Sequence, residues 1–154
     1  RVVRALGLAT GENGGAPWVL FSAEVERQIL ELPSAERAPF LEAYGLTEPA
    51  ADQIIRAAYT LAGLASFFTV GDDEVRAWTI RQGMTAPQAA GVIHSDLEKG
   101  FVRAEVLPFE AWKACGSEAA AKEKGLARLE GREYVVRDGD ILHIRSGLAK
   151  GGRG

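Results

Sequence analysis

The chain has 154 residues, 47% of them apolar and 25% charged, and a formal net charge of −3 at pH 7. This composition is typical of a globular protein and excludes a disordered one, and no apolar run reaches the roughly 20 residues that a membrane-spanning helix needs. A single cysteine, Cys115, excludes an internal disulfide. We therefore expect a cytoplasmic protein that is not bound to a membrane.

Basic residues are not in excess over most of the chain. Residues 67–154 carry thirteen Lys or Arg and thirteen Asp or Glu. This balance excludes a protein that binds bare duplex nucleic acid mainly through its phosphates. Residues 141–154 contain no acid, whereas Arg145, Lys150 and Arg153 are basic. We interpret this end as a solvated terminus, with a local phosphate contact as the alternative.

An apolar strand leads directly into a helix near the start of the chain. Residues 2–8 have the pattern of a helix end, and residues 10–15 form a loop rich in Gly and Asn. The continuous apolar run Trp18–Phe21 is typical of a buried parallel strand, and Ser22 is suited to cap the following helix. A strand that feeds a helix is half of a βαβ unit. We therefore expect residues 1–45 to be the remnant of a larger domain.

A second helical segment follows. Its main helix begins at Glu48-Pro49, and Ile54, Ile55 and Leu61 are spaced to form one buried face. We expect residues 46–66 to be a helical connector to the next domain.

From residue 67 the pattern becomes strand-like. Two strands, residues 67–71 and 74–81, alternate around an acidic turn that contains a glycine. Thr85 is suited to cap one continuous helix, residues 86–99, which ends at Gly100. The segment predicts a hairpin followed by a helix.

Three strands complete this pattern. Residues 101–107 alternate, and after two short helical pieces strands follow at residues 134–136 and 141–145. The order predicts an α+β fold of the β-grasp (ubiquitin-like) type over residues 67–146, with a mixed sheet and one helix on one face. Residues 147–154 are then a flexible tail.

The alternation also predicts which side chains face solvent. Val102, Ala104 and Val106 would meet the helix, and basic side chains would occupy the opposite face. The candidate docking residues are Arg103, His143 and Arg145. Arg76 and Arg81 of the second strand are further candidates, but the pattern leaves open on which side of the sheet they lie. A polar outer face is the ordinary interpretation of such a sheet. A platform with several arginines is also a reasonable docking surface for structured RNA.

Catalytic patterns are missing from the sequence. No G-x-x-x-x-G-K-[ST] motif is present, and the glycines of residues 11–15 lack the Lys and Ser or Thr that hold a triphosphate. His94 and His143 have no metal-ligand spacing with Cys115. We interpret His94 as a helix-terminal residue and Cys115 as a packing residue, and we predict no catalytic and no metal-binding residue.

Several segments resemble one protein family, the YchF (Obg-like) ATPases. The resemblance includes ELPSAERAPFLEAYGLTEPAADQIIRAAYTLAGLASFFT at residues 31–69, and it is carried most specifically by VRAWTI at 75–80, TAPQAAGVIHSDLEKGFVRAEV at 85–106, AKEKG at 121–125 and RLEGREYVVRDGDILHIR at 128–145. It departs at the end, where the chain has SGLAKGGRG and the family usually has an aromatic-Asn-apolar tail.

The resemblance implies a role that composition does not. It implies that residues 67–146 are a TGS domain, a β-grasp module that faces RNA or the ribosome, and that residues 1–45 are the end of a P-loop nucleotide-binding domain. It further implies that the backbone of Ser22 and Ala23 contacts a purine base in the parent protein, whose cofactors are ATP or GTP and Mg²⁺. The motifs for ATPase activity fall outside this chain, so we expect no nucleotide on the chain alone.

Three hypotheses follow. The leading one is the C-terminal portion of a ribosome-associated ATPase, with the ribosome or structured RNA as its partner. The second is a free-standing β-grasp adaptor for RNA or protein, without ATPase activity. The third is a small hydrolase that uses Cys115 or a histidine, for which no activating base is evident.

Overall fold

A computed structural model describes residues 19, 21–71 and 74–147, and the chain divides into two compact units, Arg1–Ala62 and Gly63–Gly154. The predicted helix end at residues 2–8, the loop at 10–15, most of the strand at 18–21, the centre of the acidic turn and residues 148–154 lie outside the described residues. No helix among the described residues is long and apolar enough to cross a membrane.

The described part of the first unit contains three helices: α1 (Ala23–Glu31), α2 (Ser34–Ala43) and α3 (Ala50–Leu61). Ser22 caps α1, as predicted, because its hydroxyl oxygen accepts a hydrogen bond from Val25 N at 3.4 Å. Apolar residues of α1 and α2 pack together; the buried ones are Val25, Ile29 and Leu41. Side-chain pairing between Arg27 and its neighbours in the adjacent turns further supports α1.

Helix α3 begins after Pro49, as predicted, but its predicted buried face is wrong. Ile54, Ile55 and Leu61 are 46%, 58% and 66% exposed. The buried residues of α3 lie in its first turn instead, where Ala50 N donates to the Glu26 carboxylate at 2.8 Å. This hydrogen bond ties the start of α3 to α1, so the first turn of the helix is buried and its later apolar residues are not.

Within its described residues the second unit has a five-stranded mixed sheet and four helices, an α+β fold as predicted. The strands are β1 (Leu64–Val70), β2 (Val75–Arg81), β3 (Phe101–Pro108), β4 (Arg128–Glu130) and β5 (Asp140–Ser146). Their order is β2-β1-β5-β3-β4, with β1 and β5 parallel and the other pairs antiparallel. The helices are α4 (Ala86–Ile93), α5 (Ser95–Lys99), α6 (Phe109–Cys115) and α7 (Glu118–Glu123).

Helix α4 covers the first face of the sheet. Small residues on α4 allow close packing on alternate strand residues, and Phe67, Ala104, Val106 and Leu142 are at most 1% exposed. The helix begins at Thr85, as predicted, where Thr85 N donates to the Gln88 side chain at 2.8 Å. This packing forms the main core of the second unit.

The predicted single helix over residues 86–99 is wrong, because it breaks at His94. The backbone of His94 is extended, with φ −164° and ψ 140°, and its Nδ1 accepts a hydrogen bond from Asp96 N at 3.2 Å. His94 therefore ends α4 and caps α5, so its predicted helix-terminal role is confirmed. The turn folds α5 back so that the Glu98 side chain lies directly against Gly91, where a Cβ atom would clash.

Strand β3 departs from simple alternation at its start. Val102 is 50% exposed, whereas Phe101 is 4% exposed and belongs to the core. The pairing of β3 with β5 shifts register between Phe101 and Arg103, as in a β-bulge. The prediction that Val102 faces the helix is therefore wrong, and the predictions for Ala104 and Val106 are confirmed.

The predicted strand at residues 134–136 is also wrong. This segment makes one isolated bridge, between Thr85 and Val135. Its backbone bonds to the start of α4: Ala86 N donates to Tyr134 O at 2.7 Å and Val136 N donates to Met84 O at 3.0 Å. The strand beside β3 at that edge of the sheet is β4 instead.

The second face of the sheet is partly covered, although one helix on one face was predicted. Leu107 and Ile141 point to this face and pack with Ala121 of α7 and Phe109 of α6. Strand β3 is apolar at both Val106 and Leu107, so both of its faces are buried at that end. Next to this apolar cluster, β3 and β5 carry polar side chains on the second face.

Candidate functional site

Three of the five candidate docking residues share the polar part of the second face. Arg103 of β3 lies directly opposite Arg145 of β5, and Glu105 lies directly opposite His143. Because side chains alternate along a strand, all four point to the same face as Leu107. The structure therefore brings Arg103, His143 and Arg145 together.

The two arginines are poorly compensated. The Arg103 side chain is exposed and forms no ion pair or hydrogen bond with any described residue. Arg145 is 62% exposed, and its Nη2 atom is 3.8 Å from Glu105 Oε2, a distance too long for a hydrogen bond. Like charges directly opposite on antiparallel strands repel each other. We refer to Arg103 and Arg145 as the arginine pair.

An ion-pair network lies next to the arginine pair. Lys122 Nζ is 2.5 Å from Glu105 Oε1 and 2.6 Å from Glu118 Oε1, so one ammonium group bridges two carboxylates. His143 Nε2 is buried and lies 3.0 Å from Glu118 Oε1, without the geometry of a hydrogen bond. This contact becomes an ion pair only when the imidazole is protonated. Two acids thus share the face with the arginines.

This network shifts two ionisation equilibria. Hydrogen bonds with Glu105 and Glu118 raise the pKa of Lys122 above its ordinary value. For Glu118, burial opposes ionisation, but the hydrogen bond from Lys122 and the charges of His143 and Lys122 outweigh it and lower the pKa. Lys122 and Glu118 are therefore charged at neutral pH. These partners could have been found only in part from sequence, because the spacing of Glu118 and Lys122 allows an ion pair within one helix but does not indicate what that helix covers.

Arg76 lies on the other face of the sheet. It shares that face with Trp78 and Ile80, and its guanidinium group is 4.2 Å from the centre of the Trp78 ring. Trp78 Nε1 donates to the Thr69 hydroxyl at 2.9 Å and so fixes the ring. An open groove of about 540 Å³ is lined by Trp78 together with Ile93, Leu97 and Ile144, among others. Arg76 is thus separated from the arginine pair by the thickness of the sheet.

Arg81 shares the face of the arginine pair but lies at the opposite end of the sheet. It pairs with Leu64, three residues before Phe67 in β1. Phe67 pairs with Asp140 in β5, and Arg145 follows Asp140 by five residues. At roughly 3.3 Å per residue, Arg81 and Arg145 are about 26 Å apart along the strands.

The nucleotide contact of Ser22 and Ala23 stays a prediction. The Ser22 side chain caps α1, and Ala23 is the first residue of that helix. Most of the strand that would precede them lies outside the described residues. The contact between their backbone and a purine base is therefore not tested by the structure.

The described residues give little support for a metal site or for a reactive cysteine. No group of three or more His, Cys, Asp or Glu is placed to hold a metal ion in that part of the chain. Cys115 packs at the edge of the apolar cluster under α6 and α7, which confirms its predicted packing role.

A family model and several known proteins that are similar to this chain indicate the same family. The family model YchF-GTPase_C, described as a protein of unknown function (DUF933), matches residues 64–147. The chain is 52% identical over 137 residues to the Ribosome-binding ATPase YchF of Bacillus subtilis, covering 89% of the chain and 37% of that protein. It is 50% identical over 131 residues to the human Obg-like ATPase 1, covering 85% of the chain and 33% of that protein.

A solved structure is also similar. The YchF GTPase of Schizosaccharomyces pombe superposes with a TM-score of 0.68 at 34% identity, and the match covers 88% of the chain and 35% of that protein. The chain thus spans about a third of the length of its relatives. The family model covers more than half of the chain, so the chain belongs to the YchF (Obg-like) ATPase family and corresponds to its C-terminal part.

Proposed function

We propose that the chain is the C-terminal portion of a ribosome-associated ATPase, and that its second unit docks on ribosomal RNA through the arginine pair. In this proposal the β-grasp TGS domain predicted at residues 67–146 begins three residues earlier, at the start of β1, and residues 46–63 are a helical connector. Residues 1–45 end a P-loop nucleotide-binding domain, and residues 147–154 are a flexible tail. The names of the similar proteins support a ribosomal partner. A ribosomal partner also supports a location in the cytoplasm.

The β-grasp assignment is supported by the sheet. Its central strands β1 and β5 are parallel, β2 forms a hairpin with β1, and α4 crosses one face. A single helix on a mixed sheet leaves part of the opposite face available for a partner. Helices α6 and α7 occupy the rest of that face.

The observation that carries the docking proposal is the direct opposition of Arg103 and Arg145. Two guanidinium groups held side by side on a rigid sheet suit a phosphate group, whose oxygens accept several hydrogen bonds. The repulsion between the arginines is present before binding and is relieved when an anion bridges them. RNA that is recognised by shape is held mainly through such phosphate contacts.

The nucleotide belongs to the longer protein in this proposal. ATP or GTP with Mg²⁺ binds the domain that contains the phosphate loop, and Ser22 and Ala23 contribute only backbone contacts to the base. The free-standing adaptor hypothesis is not favoured, because the relatives that match this chain are about three times its length. His143 is included in the docking surface through its place beside the arginine pair.

Charge reversal tests the docking proposal. The double variant R103E/R145E, measured by co-sedimentation with Bacillus subtilis ribosomes over a series of KCl concentrations, should bind more weakly. Loss of two phosphate contacts should reduce the slope of log affinity against log salt by about 1.8.

The matched control is K99E/K113E, which makes the same change in net charge at exposed positions that the docking proposal does not use. It should bind as the unmodified chain does. Thermal unfolding verifies that both variants fold. Unchanged binding by R103E/R145E, or an equal loss in the control, would show that the contact lies elsewhere. Repeating the series with protein-free ribosomal RNA separates an RNA contact from a contact with ribosomal protein.

A further inference from the structure

Glu105 lies between two cations that compete for it. Its Oε1 atom is 2.5 Å from Lys122 Nζ, while its Oε2 atom is 3.8 Å from Arg145 Nη2. At these distances Lys122 holds the carboxylate in the shorter ion pair, and Arg145 forms only a longer one without a hydrogen bond. The arginine therefore keeps its hydrogen-bond donors available to solvent or to a ligand.

The position of Lys122 is set by the helix that carries it. Ala121, the preceding residue of α7, is fully buried against Leu107 and Ile141 of the sheet. Glu118, one turn earlier in α7, holds Lys122 Nζ from the other side at 2.6 Å. The ammonium group is thus fixed over β3 beside Glu105.

We propose that Lys122 is a positioning residue that keeps the arginine pair open for phosphate by holding Glu105 away from Arg145. This inference rests on the proposed docking function and adds a residue that controls it. Without the charge on Lys122, the Glu105 carboxylate turns to Arg145, its remaining cation within reach. A phosphate must then displace an internal carboxylate before it can bind.

A set of variants in which Gln replaces a charged side chain tests the proposal by ribosome co-sedimentation in the 154-residue chain. Lys122→Gln should reduce the salt slope by about 0.9, the equivalent of one lost phosphate contact. The double variant K122Q/E105Q should restore the slope, because it removes the competing carboxylate as well. The matched control K122Q/E118Q has the same net charge but retains Glu105, so it should remain as weak as K122Q.

Two further variants keep the test decisive. Lys122→Arg preserves the charge and should bind as the unmodified chain does. Glu105→Gln leaves Lys122 in place and should strengthen binding, so it tests the proposal even where a Lys122 variant fails to fold.

The outcomes that overturn the proposal are specific. If K122Q/E105Q stays as weak as K122Q, Lys122 contacts RNA directly. If K122Q binds normally, or if E118Q rescues it as well as E105Q does, Glu105 does not compete for Arg145. Failure of the docking proposal is distinguishable, because R103E/R145E would then bind normally.

Discussion

A buried carboxylate connects the last strand of the sheet to the segment before it. Asp140 is 2% exposed, and its Oδ2 atom accepts hydrogen bonds from the Tyr134 hydroxyl at 2.7 Å and from Arg137 N at 2.9 Å. Tyr134→Phe removes one of these two donors and leaves the ring in place. The second unit should therefore lose stability without gaining a cavity.

The size of this loss follows from the charge on the acceptor. A hydrogen bond to a charged group contributes about 1.5–3 kcal/mol, and its loss leaves the Asp140 carboxylate with one donor on this oxygen. For a domain of this size, 1 kcal/mol lowers the midpoint of thermal unfolding by about 4–8 °C. We expect the variant to unfold roughly 6–24 °C below the unmodified chain.

The same substitution should change the dependence of stability on pH. Burial and the hydrogen bond to Asp140 raise the pKa of Tyr134 from 10.0 to about 12. The folded state then holds the phenol proton more tightly than the unfolded state, so this stabilisation is complete below pH 10 and is lost as pH rises toward 12. Urea unfolding at a series of pH values should show this decline for the unmodified chain and a smaller one for Tyr134→Phe.

Tyr44→Phe is the matched control. The Tyr44 ring packs against Phe40 in the first unit, and its hydroxyl group has no partner among the described residues. Its substitution should change stability by less than about 0.5 kcal/mol. The role assigned to Asp140 would be refuted if Tyr134→Phe had an equally small effect and left the decline of the free energy of unfolding at alkaline pH unchanged.

Two other predictions concern an ion pair and the nucleotide. The lowered pKa of Glu118 gives stability that is present above the ordinary value of 4.5 and is lost as pH falls through the pKa of the folded state. Glu118→Gln should therefore make the free energy of unfolding fall less steeply at acid pH. An equally steep fall in the variant contradicts this. Isothermal calorimetry with ATP and Mg²⁺ should detect no binding to the 154-residue chain, and micromolar affinity would contradict the proposal that the nucleotide site lies in the longer protein.

Strand alternation was enough to predict the face that carries the candidate site. Arg103, His143 and Arg145 occupy alternate positions in two strands whose apolar residues meet one helix, and pairing of those strands brings them together. The same rule could not locate Arg76 and Arg81, because β2 has few buried residues to indicate its inner face.

Predictions failed where two arrangements satisfy one pattern. Phe101 and Val102 are both apolar, so the sequence does not indicate which of them enters the core at the bulge. The apolar spacing of residues 86–99 fits a continuous helix as well as two helices that meet at His94. The bridging role of Lys122 depends on α7 packing on the second face, which is a tertiary contact that local periodicity does not contain.

The strand order has a consequence for synthesis of the protein. The last strand, β5, is the only link between the β1–β2 hairpin and the β3–β4 pair among the described strands. A nascent chain that has not yet released residues 140–146 from the ribosomal tunnel holds two separate half-sheets, neither with a complete interior. The module that we propose to dock on ribosomes thus becomes foldable only after β5 has left the tunnel.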